Sequence, residues 1–251
     1  VLLTGGGGLP SATRAALTHL EPESIVVLGG TGSVSGEVMT ALGAYTDGSV
    51  TRVSGTNRYA TAAEISTAYD SGVDTVYVAT GADYPDALSV SALAATQGAP
   101  ILLTTPGNLP SATRGALARL APEKIVVVGG AGAVSSTVLD QLEEYVDGPA
   151  DVSRLAGTNR YDTSRLVAQQ FPAGVDVSFV ATGVQFPDAL AGAALAGRFS
   201  APVVLTRPDL LPSAAQTALT HVAPERIVVL GGTGAVSEEV YTALAGYAVT
   251  P

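Results

Sequence analysis

The chain has 251 residues, of which 47% are hydrophobic and 14% charged, and it contains no cysteine. This composition supports a buried core and excludes disulfides, thiolate metal sites and cysteine nucleophiles. The formal net charge of −10 argues against a nucleic-acid partner, whose phosphates are normally met by a basic face, and no apolar run approaches the roughly 18 residues of a membrane span.

The predicted elements alternate between helices and short strands along residues 57–145. In chain order, NRYATAAEISTAY predicts a helix, DTVYVATG a strand, PDALSVSALAATQ a helix that begins near a proline, and APILLT a buried strand. LPSATRGALARLAP then predicts a helix, KIVVVGG a strand, and VSSTVLDQLEEY a helix that begins at Ser135. Because the strands are continuously apolar and alternate with helices, we predict a three-layer α/β unit, Rossmann-like or flavodoxin-like, with a mostly parallel sheet.

The same motifs recur at offsets of about 100 residues, which is the length of a domain rather than of a solenoid turn. GTNRY occurs twice, PDAL occurs twice, and IVVLGG or IVVVGG occurs three times, while VLLT at 1–4 corresponds to APILLT. We therefore predict three tandem segments: residues 1–50, the back half of a first repeat whose front half precedes Val1; 51–152, a complete second repeat; and 153–251, a complete third repeat.

Glycine-rich segments, GGTGSVS, GGAGAVS and GGTGAVS, follow the last strand of each copy. Backbone amides at a helix start can bind phosphate, but this spacing is neither GxGxxG nor a Walker loop. We interpret the segments as structural turns that need their glycines and that cap the next helix with serine. The positions are Gly30, Gly130 and Gly232 for the turns and Ser35, Ser135 and Ser237 for the caps. A nucleotide- or sugar-phosphate-binding enzyme that uses these turns is the alternative.

No catalytic residue, metal site or cofactor is predicted. Asp86 and Asp188 recur at predicted helix starts, where a lone aspartate is usually a cap or an arginine partner, so we interpret both as structural. Asp83 corresponds to Gln185 and therefore does not form a recurring carboxylate pair with Asp86. His19 and His221 share a position that Arg119 holds in the middle copy, which is unlike a catalytic base.

The GTNRY motif concentrates the recurring polar chemistry of the chain. An arginine precedes each motif, so the recurring set is Arg52, Asn57, Arg58 and Tyr59 in one copy and Arg154, Asn159, Arg160 and Tyr161 in the next. One hypothesis is internal pairing, of Arg58 with Asp86 and Arg160 with Asp188, or a clamp between neighbouring copies. The other is anion binding. The two are compatible because an ordered guanidinium can serve both.

Taken together, these motifs resemble the cell-wall-binding repeat 2 family. RVSGTNRYATA, VYVATGADYPDALSVSALAATQGAPILLT and LPSATRGALARLAPEKIVVVGGAGAVSSTVLDQL are similar to one complete unit, residues 154–247 to a second, and residues 1–50 to the back half of a third. The resemblance implies an exported, cell-surface protein of Gram-positive bacteria whose neighbouring repeats pack about a pseudo-threefold axis. It also implies non-covalent, non-catalytic binding to an anionic cell-wall polymer. No signal peptide is visible, and we expect the natural start to precede Val1.

The resemblance also associates a Pro-Ile-Leu-Leu motif with polymer binding. In this chain the motif matches Pro100, Ile101, Leu102 and Leu103, and in the last copy it reads Pro202, Val203, Val204 and Leu205. These residues, together with the GTNRY residues and the arginines before them, are the expected polymer-binding set. A scaffold that only holds a fused passenger domain is the remaining alternative.

Overall fold

The computed structural model of the protein describes residues 1–185 and 187–249. Its strands are β1 (Ile25–Leu28), β2 (Val50–Val53), β3 (Thr75–Thr80), β4 (Ile101–Thr104), β5 (Lys124–Val128), β6 (Val152–Leu155), β7 (Val177–Thr182), β8 (Val203–Thr206) and β9 (Arg226–Leu230). Its helices are α1 (Ser11–Leu20), α2 (Gly36–Leu42), α3 (Arg58–Ile65), α4 (Pro85–Gln97), α5 (Ser111–Leu120), α6 (Ser136–Leu142), α7 (Arg160–Ala168), α8 (Pro187–Arg198), α9 (Ser213–Val222) and α10 (Glu238–Leu244). Short 3₁₀ turns continue α2, α3, α6 and α10.

The strands form three parallel sheets, in the orders β1-β2, β4-β3-β5-β6 and β8-β7-β9. Parallel pairing with helical crossovers confirms the predicted fold class. In the middle sheet the side chains alternate between two helical layers. Val76 and Val78 pack with Leu117 of α5 and Leu142 of α6, whereas Tyr77 packs with Leu93 of α4 on the other face. The middle copy is therefore a three-layer unit, as predicted.

Strands β2 and β6 are not predicted by the sequence patterns. Each pairs with the last strand of the preceding copy, β2 with β1 and β6 with β5. Val27 of β1 is in register with Arg52 of β2, and Val127 of β5 with Arg154 of β6. Each sequence repeat therefore opens with a strand that completes the sheet of the preceding repeat. The predicted bounds after residues 50 and 152 fall close to the starts of these two strands.

Residues 1–4, the counterpart of β4, form no strand and are largely exposed. Strand β4 is held by hydrogen bonds to β3 alone, and the described part of the chain contains no counterpart of β3 before residue 75. VLLT therefore lacks the strand pairing of APILLT but keeps its contact with the following helix, since Thr13 donates to the Leu3 carbonyl at 2.6 Å as Thr113 does to the Leu103 carbonyl.

The two complete copies contact each other through α4, which packs against α7 and α8. Small residues allow α8 to approach α4 closely. A Cβ atom added at Gly197 would lie only 2.5 Å from the Cβ of Ala95. The Tyr84 hydroxyl also donates a hydrogen bond of 2.6 Å to the Val184 carbonyl of the next copy. The pseudo-threefold arrangement stays a prediction.

Candidate functional site

Each GTNRY motif starts a helix, as predicted. The Asn57 side chain accepts hydrogen bonds of 3.0 Å from the backbone N–H groups of Tyr59 and Ala60. Asn159 does the same for Tyr161 and Asp162, at 3.0 and 3.1 Å. Because the asparagine satisfies these N–H groups, the helix start itself is capped.

The glycine of each motif is required by close packing of backbone against backbone. A Cβ atom at Gly55 would overlap Ala60, and one at Gly157 would lie 2.5 Å from the backbone nitrogen of Thr163. The turn before the helix therefore closes directly onto the first helical residues. This contact positions Arg58 and Arg160 at the carboxyl end of the neighbouring strand.

Both motif arginines bind a carbonyl at the end of the next strand along the chain. Arg58 donates from Nη1 to the Gly81 carbonyl, and Arg160 donates from Nη1 to the Gly183 carbonyl at 2.7 Å. Arg160 also lies 3.3 Å, Nη2 to Oδ2, from Asp83 of the preceding copy.

The predicted pairs of Arg58 with Asp86 and of Arg160 with Asp188 do not form among the described residues. The reason is geometric: each aspartate is directed at the glycine turn of its own copy. A Cβ atom at Gly129 would overlap the Asp86 carboxylate, and one at Gly231 would lie 2.6 Å from Asp188 Oδ2.

Asp86 lies between its own glycine turn and the next copy. Burial raises the pKa of Asp86 above its ordinary value, and the negative charge of Asp83 adds to this shift. Arg160 and a hydrogen bond with Thr163, both from the following copy, oppose it. Asp83 and Asp86 therefore both face Arg160, and the sequence patterns missed Asp83 because it does not recur.

The arginines of β2 and β6 hold the glycine turns closed. Arg52 donates to the carbonyls of Gly29 and Val34, and Arg154 donates to those of Gly129 and Val134, with the valine bonds at 2.8 Å. Partial burial lowers the pKa of the Arg154 guanidinium. Two of the five donors of each guanidinium are thus used within the protein, which gives these predicted binding residues a structural role.

We expect Arg154→Ala to lower the free energy of unfolding by about 2–3 kcal/mol, because it removes two hydrogen bonds from a charged donor. Arg207→Ala is the control, since the Arg207 side chain forms an exposed pair of 3.7 Å with Asp209, a kind worth about 0–1 kcal/mol. Urea unfolding of both variants measures the difference. Equal losses would contradict the turn-closing role of Arg154.

In each turn, the first glycine of the pair has the backbone conformation that requires glycine. Gly29, Gly129 and Gly231 have φ angles of 99°, 109° and 101°, a region that side chains rarely adopt. The predicted positions are the glycines that follow, Gly30, Gly130 and Gly232, where a Cβ atom meets nothing within 4 Å. The predicted caps are confirmed, since Ser35, Ser135 and Ser237 accept bonds of 3.3, 3.4 and 3.4 Å from valine amides.

The Pro-Ile-Leu-Leu motif forms a core strand. Pro100 and Leu102 are buried, Ile101 and Leu103 are half-buried, and Pro202, Val203, Val204 and Leu205 are all buried. Leu103 is the motif residue that lines an external cleft. The polymer-binding role of the motif stays a prediction.

Two clefts form where the glycine turn of one copy meets the GTNR segment of the next, and they share these two segments. The first cleft, of about 580 Å³, lies between the Gly29–Ser33 turn and Gly55–Arg58, and Leu103 also lines it. The second cleft, of about 380 Å³, lies between the Gly130–Ala133 turn and Gly157–Arg160. Asp83 and Asp86 also line the second cleft. The structure therefore unites two motifs that the sequence places in different copies.

Two further properties limit the kind of site. No helix among residues 1–185 and 187–249 is long and apolar enough to cross a membrane. Within the same residues, no three histidine, aspartate or glutamate side chains are grouped as metal ligands. Arginine is the charged residue that recurs in the two clefts.

Comparison with known proteins places this repeated fold in the class of cell-wall proteins. The family described as cell wall binding domain 2 (CWB2) matches residues 52–139 and 154–241. The chain is 30% identical over 245 residues to the "Amidase enhancer" of Bacillus subtilis, covering 98% of this chain and 33% of that protein. It is also 30% identical over 240 residues to the N-acetylmuramoyl-L-alanine amidase LytC of Bacillus subtilis, covering 96% of this chain and 47% of that protein.

Solved structures agree with this class. Cwp8 from Clostridium difficile superposes with a TM-score of 0.84 at 30% identity, covering 98% of this chain and 42% of that chain. Cwp6 from the same organism has a TM-score of 0.89 at 24% identity, covering 100% and 40%, and supports the fold. The chain belongs to the cell wall binding domain 2 family and has a cell-wall-binding role at the cell wall or cell surface. It spans about a third to a half of the length of these relatives.

Proposed function

We propose that the chain is a non-catalytic anchoring module of an exported protein, and that it binds an anionic secondary polymer of the Gram-positive wall. The observation that carries this proposal is the repeated cleft. Each cleft combines an arginine at a helix start with a glycine turn of the preceding copy. Guanidinium groups bind carboxylate and phosphate well because their planar donors match the geometry of oxyanions.

Local arginines are needed because the molecule as a whole is acidic. With a formal net charge of −10, long-range attraction to a polyanion is absent. An anionic polymer must therefore be recognised at short range, where one charged hydrogen bond contributes about 1.5–3 kcal/mol. Repetition of the cleft allows one polymer to engage more than one copy, which raises avidity without new contacts.

The glycine turns support anchoring over the alternative of a phosphate-binding enzyme. Serine side chains accept hydrogen bonds from backbone N–H groups of the helices that follow the turns, and these N–H groups are of the kind that a phosphate would need. Polar residues near the clefts also differ between copies, as Asp83 and Gln185 do. The scaffold alternative shares the contacts between copies but predicts no dependence on the polymer.

We expect the 251-residue chain to co-sediment with purified Gram-positive walls that retain their anionic secondary polymers. The same walls after chemical removal of those polymers should retain at least about tenfold less protein, since loss of one charged contact already costs a factor of that order. Quantitation of bound and free protein across a concentration series measures this. Equal retention on both wall preparations would refute polymer recognition and favour the scaffold.

A further inference from the structure

A pocket of about 290 Å³ lies in the last copy, between helices α9 and α10 and the loop that follows β8. It is separate from the two clefts, since none of its described lining residues lines either of them. Leu210, Val240 and Tyr247 give this α9–α10 pocket apolar walls, and Asp209 and Glu239 also line it. Every segment that lines the pocket has a counterpart in the middle copy, around α5 and α6, so the two copies can be compared position by position.

In the middle copy a side chain of the protein occupies the matching position. Gln141 of α6 accepts a hydrogen bond of 2.9 Å at its Oε1 from the Leu109 backbone N–H. The matching residue of α10 is Ala243, which has no amide group and lines the pocket. The matching donor is the Leu211 backbone N–H, and no acceptor for it lies among residues 1–185 and 187–249. The last copy therefore has an open donor where the middle copy has an internal amide.

The backbone that carries this donor is held in the same way in both copies. Gln216 donates from Nε2 to the Leu211 carbonyl at 3.0 Å, and Arg114 donates from Nε to the Leu109 carbonyl at the same distance. We infer from this equivalence that the Leu211 N–H is directed at the space that the Gln141 amide occupies in the middle copy. Leu211 is only 6% exposed, and a buried N–H without an acceptor costs free energy. A ligand acceptor is thus favoured in the pocket.

We propose that the α9–α10 pocket binds the acetamido group of an N-acetylated sugar. The acyl oxygen accepts from the Leu211 N–H, as the Gln141 amide oxygen does from Leu109, and the acyl methyl group packs on Leu210 and Val240. Pockets that combine apolar walls with a few polar groups are typical of small-ligand sites. The chemistry suits a cell-wall protein, because the glycan of bacterial walls carries acetamido groups.

The charges around the pocket select a neutral ligand over an anionic one. Asp209 and Glu239 line it, and its described lining includes no arginine or lysine. Asp209 pairs with Arg207 at 3.7 Å, whereas a hydrogen bond from Ser237 lowers the pKa of Glu239 and keeps it ionised. A carboxylate here repels a phosphate but accepts from the acetamido N–H or a sugar hydroxyl, and Tyr247 offers an apolar surface to the sugar ring. The ligand is therefore distinct from the anionic polymer proposed above.

The test uses the full chain with two neutral sugars, chitotriose as the acetamido probe and cellotriose as the control. Cellotriose carries a hydroxyl group where chitotriose carries each acetamido group. We expect chitotriose to shift the backbone amide resonance of Leu211 saturably in proton–nitrogen correlation NMR spectra. We also expect it to bind at least about tenfold more tightly than cellotriose, which lacks the acyl oxygen and the methyl group.

Ala243→Gln gives the last copy the residue of the middle copy, and Gln141→Ala is the matched control. We expect Ala243→Gln to weaken chitotriose binding about tenfold or more, because the new amide occupies the Leu211 N–H, and Gln141→Ala to leave the Leu211 titration unchanged. Thermal unfolding confirms that both variants are folded.

Three results would overturn the acetamido site: no saturable shift at Leu211, equal binding of cellotriose, or undiminished chitotriose binding by folded Ala243→Gln. Because both sugars are neutral, these results leave anionic-polymer binding untouched. Equal retention of the unmodified chain on polymer-free walls would instead contradict the proposed function and leave the acetamido site intact.

Discussion

Replacing Leu102 with alanine is expected to lower the free energy of unfolding by about 2–5 kcal/mol. Leu102 lies in the central part of the core with 0% of its surface exposed, packed among residues of β3, β5 and α5. Truncation removes buried apolar surface and leaves a cavity that a close-packed sheet cannot collapse. Denaturant unfolding, followed by circular dichroism, measures the loss.

Leu103→Ala is the matched control for Leu102→Ala. Leu103 is half-buried and lines the first cleft, so its truncation should cost stability no more than about 1 kcal/mol but weaken wall binding. Leu102→Ala, assayed at a temperature where it stays folded, should bind walls like the unmodified chain. Loss of binding by folded Leu102→Ala, with Leu103→Ala unaffected, would contradict direct contact through Leu103.

Gly129→Ala is expected to lower the free energy of unfolding by about 2–5 kcal/mol. Two costs combine: a φ angle of 109°, which strains any residue with a side chain by about 1–3 kcal/mol, and overlap of the new methyl group with the Asp86 carboxylate, of the kind that costs about 1–3 kcal/mol. Because Asp86 also faces Arg160 and Thr163, its displacement would disturb the contact between copies.

Gly130→Ala provides the internal comparison for Gly129→Ala. Gly130 has an ordinary φ, and an added methyl group meets nothing within 4 Å, so the change in stability should stay within about 0.5 kcal/mol. Thermal or denaturant unfolding of both variants under one condition measures the contrast. Similar losses at the two positions would show that the turn as a whole, rather than Gly129, tolerates no side chain.

The predicted helices and strands of residues 57–145 are largely confirmed, because their patterns are local. PDALSVSALAATQ coincides with α4, Pro85–Gln97, and KIVVVGG contains β5, Lys124–Val128. Asn57 and Ser135 begin helices through side-chain bonds to nearby amides. Capping and hydrophobic periodicity act over a few residues, so a single sequence displays them.

Strands β2 and β6 escape the sequence patterns because their identity depends on a distant partner. Each has four residues with a central arginine and mostly half-buried side chains, which leaves little apolar periodicity. Each forms only because it pairs with the edge of the preceding sheet. VLLT at residues 1–4 is the opposite case. It has the apolar pattern of a strand, but it has no partner strand among the described residues.

The sequence by itself determined the repeated α/β unit, its helix starts and the family to which the chain belongs, since motifs and local periodicity recur visibly along it. Only the tertiary structure decided what those motifs face. It joined the glycine turn of one copy to the GTNR segment of the next, directed Asp86 at Gly129, and placed Asp83 beside Arg160. These contacts span residues far apart in the chain, and they follow from the packing of neighbouring copies rather than from either motif alone.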